Sequence, residues 1–244
     1  MITNRRNAAF VARIVTLSLG AVVDKKSPRS FGSLRKVRED SPLRAVDASL
    51  EEKMVAAVDA AKRDGETLGG AILVGARGVP AGLGSYVSWE TKLDGRIAQA
   101  MLSVPAVKAI ELGSVIEASR GPGSLAHDEI EPGEKGVLRR RTNRAGGLEA
   151  GVTNGEEIIA VIFMKPLSTL ARGLDSVDLE TGKPARSAYE RSDVTAVPAC
   201  GVIAEAMLAF VLADALLEST GGDRLQDVVD RLARHRERVR RYPR

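Results

Sequence analysis

Five short polar clusters lie between residues 123 and 193, and each sets glycine or proline beside side chains that bind or move charge. Met164-Lys165-Pro166-Leu167-Ser168-Thr169 follows an apolar run. One ammonium and two hydroxyls at a strand exit can hold an anion such as a phosphate. Glu190-Arg191-Ser192-Asp193 puts a cation and a carboxylate two residues apart, on one side of an extended segment. A carboxylate beside an arginine stays ionised at neutral pH and can act as base or proton relay. Arg141 to Gly147, Gly151 to Gly155, and Gly123 to Glu129 (with His127) complete the set. Their glycines permit close backbone approach to a ligand. Taken singly, each cluster is more often a turn or an ion pair. Taken together, they read as one shared polar site.

Other chemistries fall away. No Gly-Lys-Ser/Thr ends a phosphate loop, and Gly82-Leu83-Gly84 lacks the third glycine of a dinucleotide fingerprint. No Gly-x-Ser-x-Gly elbow offers a nucleophilic serine. The single Cys200 precedes an apolar helix with no histidine near it, and reads as an inert core thiol. One cysteine and two histidines, His127 and His235, exclude a disulfide framework, a thiolate zinc cluster and a multi-histidine metal site.

The elements that must carry these clusters follow from the hydrophobic pattern. Ile14 to Leu19 reads as a strand and residues 24–47, rich in Lys, Arg, Ser and Pro, as a surface loop. Ser49-Leu50-Glu51-Glu52 reads as a capping box opening a helix with Met54, Val55, Val58 and Ala61 at helical spacing, ending at Gly65. Gly69 to Val74 reads as a strand, Gly75 to Gly84 as a backbone-dominated loop, and Leu93 to Leu102 as a helix. A long irregular stretch, Gly113 to Gly155, precedes Ile158 to Met164, a strand apolar throughout and so buried on both faces. Ser176 to Thr181 is a short strand and turn. Val202 to Leu217 is apolar all round, as befits a core or a subunit interface. A second, Arg-rich helix follows Gly221-Gly222. No repeat or linker divides the 244 residues, so the expectation is one α+β unit.

Apolar content of 44% is globular rather than disordered. The net charge of +4 is lopsided, because the segment from Arg224 onward holds eight arginines against three acids. With one aromatic and no recognisable module, that tail reads as a solvated helix, and nucleic acid is not the expected partner. No run reaches the ~18 uninterrupted apolar residues of a membrane helix. No cleavable leader is evident, so a cytoplasmic location is expected.

The clusters resemble chorismate synthase. Lys165-Pro166-Leu167-Ser168-Thr169 matches that family's strand exit, and Asn143 through Gly155 follows its glycine-rich pattern. Arg191-Ser192-Asp193, Val197-Pro198, Ala204-Glu205-Ala206-Met207, Gly78 to Gly84, Ser103 to Lys108 and His127-Asp128-Glu129 match as well. The likeness runs from about Ile14 to about Asp223, leaving residues 224–244 as a basic C-terminal helix. It implies a β-α-β sandwich of antiparallel sheets packed on helices, N-terminally truncated here. It implies conversion of 5-enolpyruvylshikimate 3-phosphate to chorismate and phosphate by trans-1,4-elimination, with reduced FMN. The reduced flavin would come from NADPH through an intrinsic activity or from an external reductase. By resemblance, Pro105, Ala106, Ala150, Lys165, Pro166, Leu167, Ser168, Thr169 and Arg191 line the flavin site, and Asp193 assists proton transfer. A homotetramer is implied. The family pattern also includes an upstream part carrying catalytic histidines and substrate arginines. A non-catalytic paralogue keeping the fold, with flavin or partner binding, is therefore the alternative. Sheet edges lacking their partners would then favour aggregation unless another polypeptide covers them.

Overall fold

The computed structural model describes residues 10–240 except 27, 134–136, 189, 191 and 192, with Arg240 described by its backbone alone. In chain order the elements are β1 (Val11–Leu19), β2 (Val22–Val23), α1 (Phe31–Leu34), α2 (Ala48–Arg63), β3 (Gly70–Arg77), α3 (Leu93–Leu102) and β4 (Val107–Leu112). Two short helices, α4 (Val115–Ala118) and α5 (Gly123–Ala126), lead into hairpins β5 (Ile130–Pro132) with β6 (Leu138–Arg140) and β7 (Leu148–Glu149) with β8 (Val152–Thr153). β9 (Ile158–Met164), the hairpin β10 (Asp175–Val177) with β11 (Pro184–Arg186), α6 (Val197–Thr220) and α7 (Leu225–Arg240) complete the chain.

β1, β2, β3, β9 and β4 form one antiparallel sheet in the order β2-β1-β3-β9-β4. The two central strands are buried on both faces because each face has its own cover. On one face Ile14, Ile72, Val74, Ala76, Ile158, Ala160 and Ile162 join Ile97 and Met101 of α3, Met54 of α2 and the inner side of α6. On the other, Val15, Leu17, Leu73, Ile159 and Val161 pack under Phe31 and Leu34. The register slips between Thr16 and Ser18. This extra residue explains why Leu19 returns to the α6 side beside Ile14 although their spacing is odd.

The segment 24–47 is a strap rather than a free loop. Three carboxylates hold it, two of them at the second face and one, Glu51, on α2. Glu157 accepts from the Phe31 amide at 2.9 Å, Glu111 meets Arg29 at 2.6 Å, and Glu51 accepts from Ser41 Oγ and from the Leu43 amide. Glu51 and Glu111 are both buried, so these bonds satisfy charges that burial would otherwise penalise.

Leu93–Leu102 and Ile158–Met164 have the bounds expected from the sequence. The first long helix differs at its start. Its N-cap is Asp47, whose side chain accepts from the Leu50 amide, while Ser49 Oγ donates to Asp47 rather than capping. Asp47 competes better because a carboxylate at the cap also meets the helix dipole. α6 is longer than its apolar run suggests, at 24 residues. Length and composition alone would let it cross a membrane, yet its inner side lies on the sheet. Gly201 permits that contact, since a Cβ there would sit 3.1 Å from Ile14 Cδ1.

Candidate functional site

The chemistry gathers at the end of the sheet where β9 leaves and β3 begins. Gly69 and Gly70 make the junction. A Cβ on Gly69 would lie 2.3 Å from the Met164 carbonyl oxygen and 2.8 Å from the backbone of Lys165 and Pro166. A Cβ on Gly70 would lie 2.1 Å from the Ser18 carbonyl. Both positions therefore admit only glycine without backbone displacement. The residues around them are tied in turn. Lys165 N–H donates to the Ala106 carbonyl at 2.9 Å, Thr67 Oγ1 to the Leu167 carbonyl at 2.6 Å, and Leu68 N–H to the Val194 carbonyl at 2.7 Å.

These bonds bring Pro105 and Ala106, the strand exit from Lys165 to Thr169, and the segment beginning at Asp193 to one place. Lys165, Pro166, Ser168, Pro105 and Asp193 are exposed there, and Leu167, Thr169 and Ala106 are half-buried. Among the described residues the Lys165 ammonium reaches the Pro166 carbonyl at 3.4 Å, and the Ser168 hydroxyl has no partner. An ammonium and a hydroxyl so loosely engaged are available to an anion. Arg191 lies outside the described residues. Ala106 has φ +67°, a left-handed backbone that alanine rarely adopts. Strain of this kind persists where the surroundings over-determine it, and here the Ala106 carbonyl is engaged by Lys165.

The remaining clusters do not join this place. Ala150 lies on the tight turn between β7 and β8, with φ +53°. The next carbonyl, that of Gly151, accepts from the Leu93 amide at the start of α3, whereas Ala106 follows the end of α3. The ten residues of α3, about 15 Å of helix, run between them. Several glycines of this second region serve close backbone packing. A Cβ on Gly113 would meet the Arg144 carbonyl at 1.9 Å, and one on Gly146 would meet the Gly113 nitrogen at 2.4 Å. Asn143 bridges the Gly147 amide and the Glu157 carbonyl, both at 2.8 Å. Asp128 accepts from Thr142 Oγ1 and from the Arg144 and Ala145 amides. Desolvation opposes its charge, but those donors win and hold the Asp128 carboxyl below its usual range. Arg140 grips Glu149 in a bidentate pair at 2.8 and 2.6 Å, which lowers the Glu149 pKa. The five clusters thus fall into two groups: a candidate binding end at Lys165 and a scaffold end at Asp128.

Two joined clefts of about 450 and 500 Å³ open at the scaffold end. Val137 to Arg139, Asn154 and Val239 line both, and Ala150 lines the larger. His235 of α7 reaches the Ala81 carbonyl at 2.7 Å there, so this histidine closes the glycine loop instead of facing Lys165. Burial raises the Cys200 thiol pKa, in line with an inert core residue. The Gly69-Gly70 doublet was the one legible signal of the site's floor. Two adjacent glycines at a strand start mark close backbone contact, and the sequence pattern does not reveal with what.

The chorismate synthase profile matches residues 4–217. The chain belongs to the chorismate synthase family. The chorismate synthase of Nocardia farcinica is 50% identical over 205 residues, which are 84% of this chain and 50% of that one. That of Syntrophotalea carbinolica is 47% identical over 225 residues, 92% of this chain and 58% of that one. A chorismate synthase crystal structure superposes with a TM-score of 0.81 at 36% identity, over 95% of this chain and 64% of that one. The α+β architecture is thus shared with a solved chorismate synthase. The chain spans about half the length of the curated relatives it matches. α7 lies beyond the profile match.

Proposed function

We propose that this chain forms one wall of a chorismate synthase active site. There 5-enolpyruvylshikimate 3-phosphate loses a proton and its phosphate by trans-1,4-elimination, and the new double bond gives chorismate. The observation that carries this reading is the convergence of Lys165, Ser168 and the Asp193 segment on the Gly69-Gly70 junction.

The residue types suit reduced FMN. Lys165 offers a charge and Ser168 and Thr169 offer hydroxyls to a phosphate tail, with Pro105, Ala106, Pro166 and Leu167 as walls. Arg191 would add a second cation. When bound, the reduced flavin supplies the electron chemistry of a reaction that is redox-neutral overall. Asp193 is the residue here suited to hold or pass a proton. Ala150, at the scaffold end, joins this set by resemblance alone. NADPH as reductant, a homotetramer and a cytoplasmic location belong to the same reading.

A second reading is favoured by where the histidines lie. His235 is engaged with Ala81, and His127 sits among Gly123 and Arg144, so neither supplies a general acid at the Lys165 end. A flavin-binding protein without the elimination would fit that arrangement. An anaerobic assay with reduced FMN and substrate separates the two. Chorismate formation that falls about 100-fold or more in Asp193→Asn supports the enzyme. FMN binding without turnover supports the second reading. FMN affinity unchanged in Lys165→Ala refutes both assignments of this end.

A further inference from the structure

The connector from α2 to β3 reaches both halves of the binding end. The Gly65 carbonyl accepts from the Arg172 amide at 3.3 Å, and Glu66 pairs with the Arg172 guanidinium at 2.8 Å. Thr67 and Leu68 then bond the Leu167 and Val194 carbonyls, and Gly69 lies against Lys165 and Pro166. Thr67 stands out because its bond to the strand exit comes from a side chain. It is buried, and its Oγ1 donates to Leu167 at 2.6 Å. The Leu167 side chain in turn packs on the main core. Leu167 is thus held by its side chain and its carbonyl together.

That grip sets the next peptide group. A peptide bond is planar, and in its trans form the N–H points opposite to the carbonyl. No cis bond occurs among the described residues. With the Leu167 carbonyl turned onto Thr67, the Ser168 amide is turned away from it. Ser168 is exposed, and among the described residues neither its amide nor its hydroxyl has a partner. We infer that Thr67 is a positioning residue for a phosphate monoester. By fixing the Leu167–Ser168 peptide plane, it offers the Ser168 amide beside the Ser168 hydroxyl and the Lys165 ammonium. One charge and two neutral donors suit the oxygens of a phosphate. The inference rests on the reading that this end receives the phosphate tail of FMN. A hydroxyl that served the fold alone would support FMN and riboflavin equally, since the two differ only in that phosphate.

The test is an anaerobic calorimetric titration of the 244-residue chain with reduced FMN and with reduced riboflavin. The ratio of the two affinities reads the phosphate contacts. Thr67→Val keeps the shape and removes the hydroxyl. It should cut the preference for FMN roughly 10-fold, as misplacing a hydrogen bond to a charged group does. Thr67→Ser restores the hydroxyl and should hold the preference within about 3-fold of wild type. Hydrogen exchange on the unsubstituted chain is an independent measurement. Exchange of the Ser168 amide should slow about 10-fold or more with FMN and stay near the free rate with riboflavin, because only the phosphate engages it. An FMN preference unchanged in Thr67→Val overturns the role of Thr67 and leaves the Lys165 reading standing. Equal losses for FMN and riboflavin, or a Ser168 amide indifferent to FMN, overturn it likewise. A wild-type chain with no preference for FMN overturns the reading of the Lys165 end and this inference with it.

Discussion

Gly69→Ala perturbs the binding end without touching any side chain there. The new methyl carbon would sit 2.3 Å from the Met164 carbonyl oxygen and 2.8 Å from both the Lys165 carbonyl carbon and the Pro166 nitrogen. All three are backbone atoms at the exit of β9, a strand held on both sides by β3 and by β4. No side chain can rotate away, so the sheet end must open by the better part of an ångström. Overpacking against mobile side chains costs about 1–3 kcal/mol, and a backbone clash belongs at or above the top of that range. For a domain of this size, about 3 kcal/mol lowers Tm by roughly 6–12 °C. Gly95→Ala is the matched control. Its Cβ meets nothing closer than 3.6 Å, it lies inside α3, and alanine there should raise stability by roughly 0.5–1 kcal/mol. Far-UV circular dichroism melts of both variants read the difference. Displacing Lys165 should also weaken FMN binding, measured by flavin fluorescence quenching, although Gly69 has no side chain to offer a ligand. A Gly69→Ala melt within two degrees of wild type would refute the reasoning.

Ala106→Gly should relieve the left-handed strain at φ +67° and gain roughly 0.5–1 kcal/mol after the entropy of the unfolded glycine is set against it; an unchanged chemical-denaturation midpoint would contradict this. Asp128→Asn should lose about 1 kcal/mol at pH 7, discounted for partial exposure, since the carboxylate receives two amides and a hydroxyl. Because the folded-state pKa of Asp128 is lowered, its contribution is complete above the unfolded value of 3.8 and disappears as pH falls through the folded one. Denaturant midpoints of wild type and variant should therefore converge in that acid window. Glu205 is the opposite case. Burial raises its pKa, with Arg13 and Arg44 offsetting part of the shift, so its favourable contribution is present below 4.5 and lost as pH rises through the folded value. Glu205→Gln should match wild type near pH 4 and exceed it at pH 8, and a pH series of urea midpoints with no divergence would contradict that.

The strands and long helices were legible because each carries its own period. Ile158 to Met164 is apolar at every position, and only a strand covered twice can bury such a run. The helix at Leu93 repeats its buried residues at 93, 97, 100 and 101. The strap over the second face was not legible. Residues 24–47 are polar, and what holds them is Glu111, Glu157 and Glu51, acids distant in sequence or hidden in a helix. Pairing over such separations leaves no local pattern. The polar clusters were legible as clusters but not as two groups. The glycines of Asn143 to Gly155 and those of Gly69-Gly70 look alike in sequence because both mark missing Cβ atoms. Only the chain across from each one tells which backbone fills the vacancy.

The scaffold end and the binding end are nevertheless one device, and β9 is the link. Gly146 and Gly113 close on the start of β9, where the Ile159 amide donates to the Gly146 carbonyl and the Gly113 amide to the Ile159 carbonyl. From there the strand runs seven residues, paired on both sides, to Met164. Its exit is thus fixed from behind as well as from Gly69. A strand bonded along both edges cannot slide by one residue without turning Ile158, Ala160 and Ile162 from one packed face to the other. Lys165 therefore inherits its position from glycines it never touches. Substitutions that open the Gly113–Gly146 contact should impair anion binding at Lys165 in proportion to their effect on stability, whereas Lys165→Ala should impair binding with stability unchanged. Separating those two behaviours in one set of variants distinguishes a site held by its scaffold from a surface lysine that happens to lie near a carboxylate.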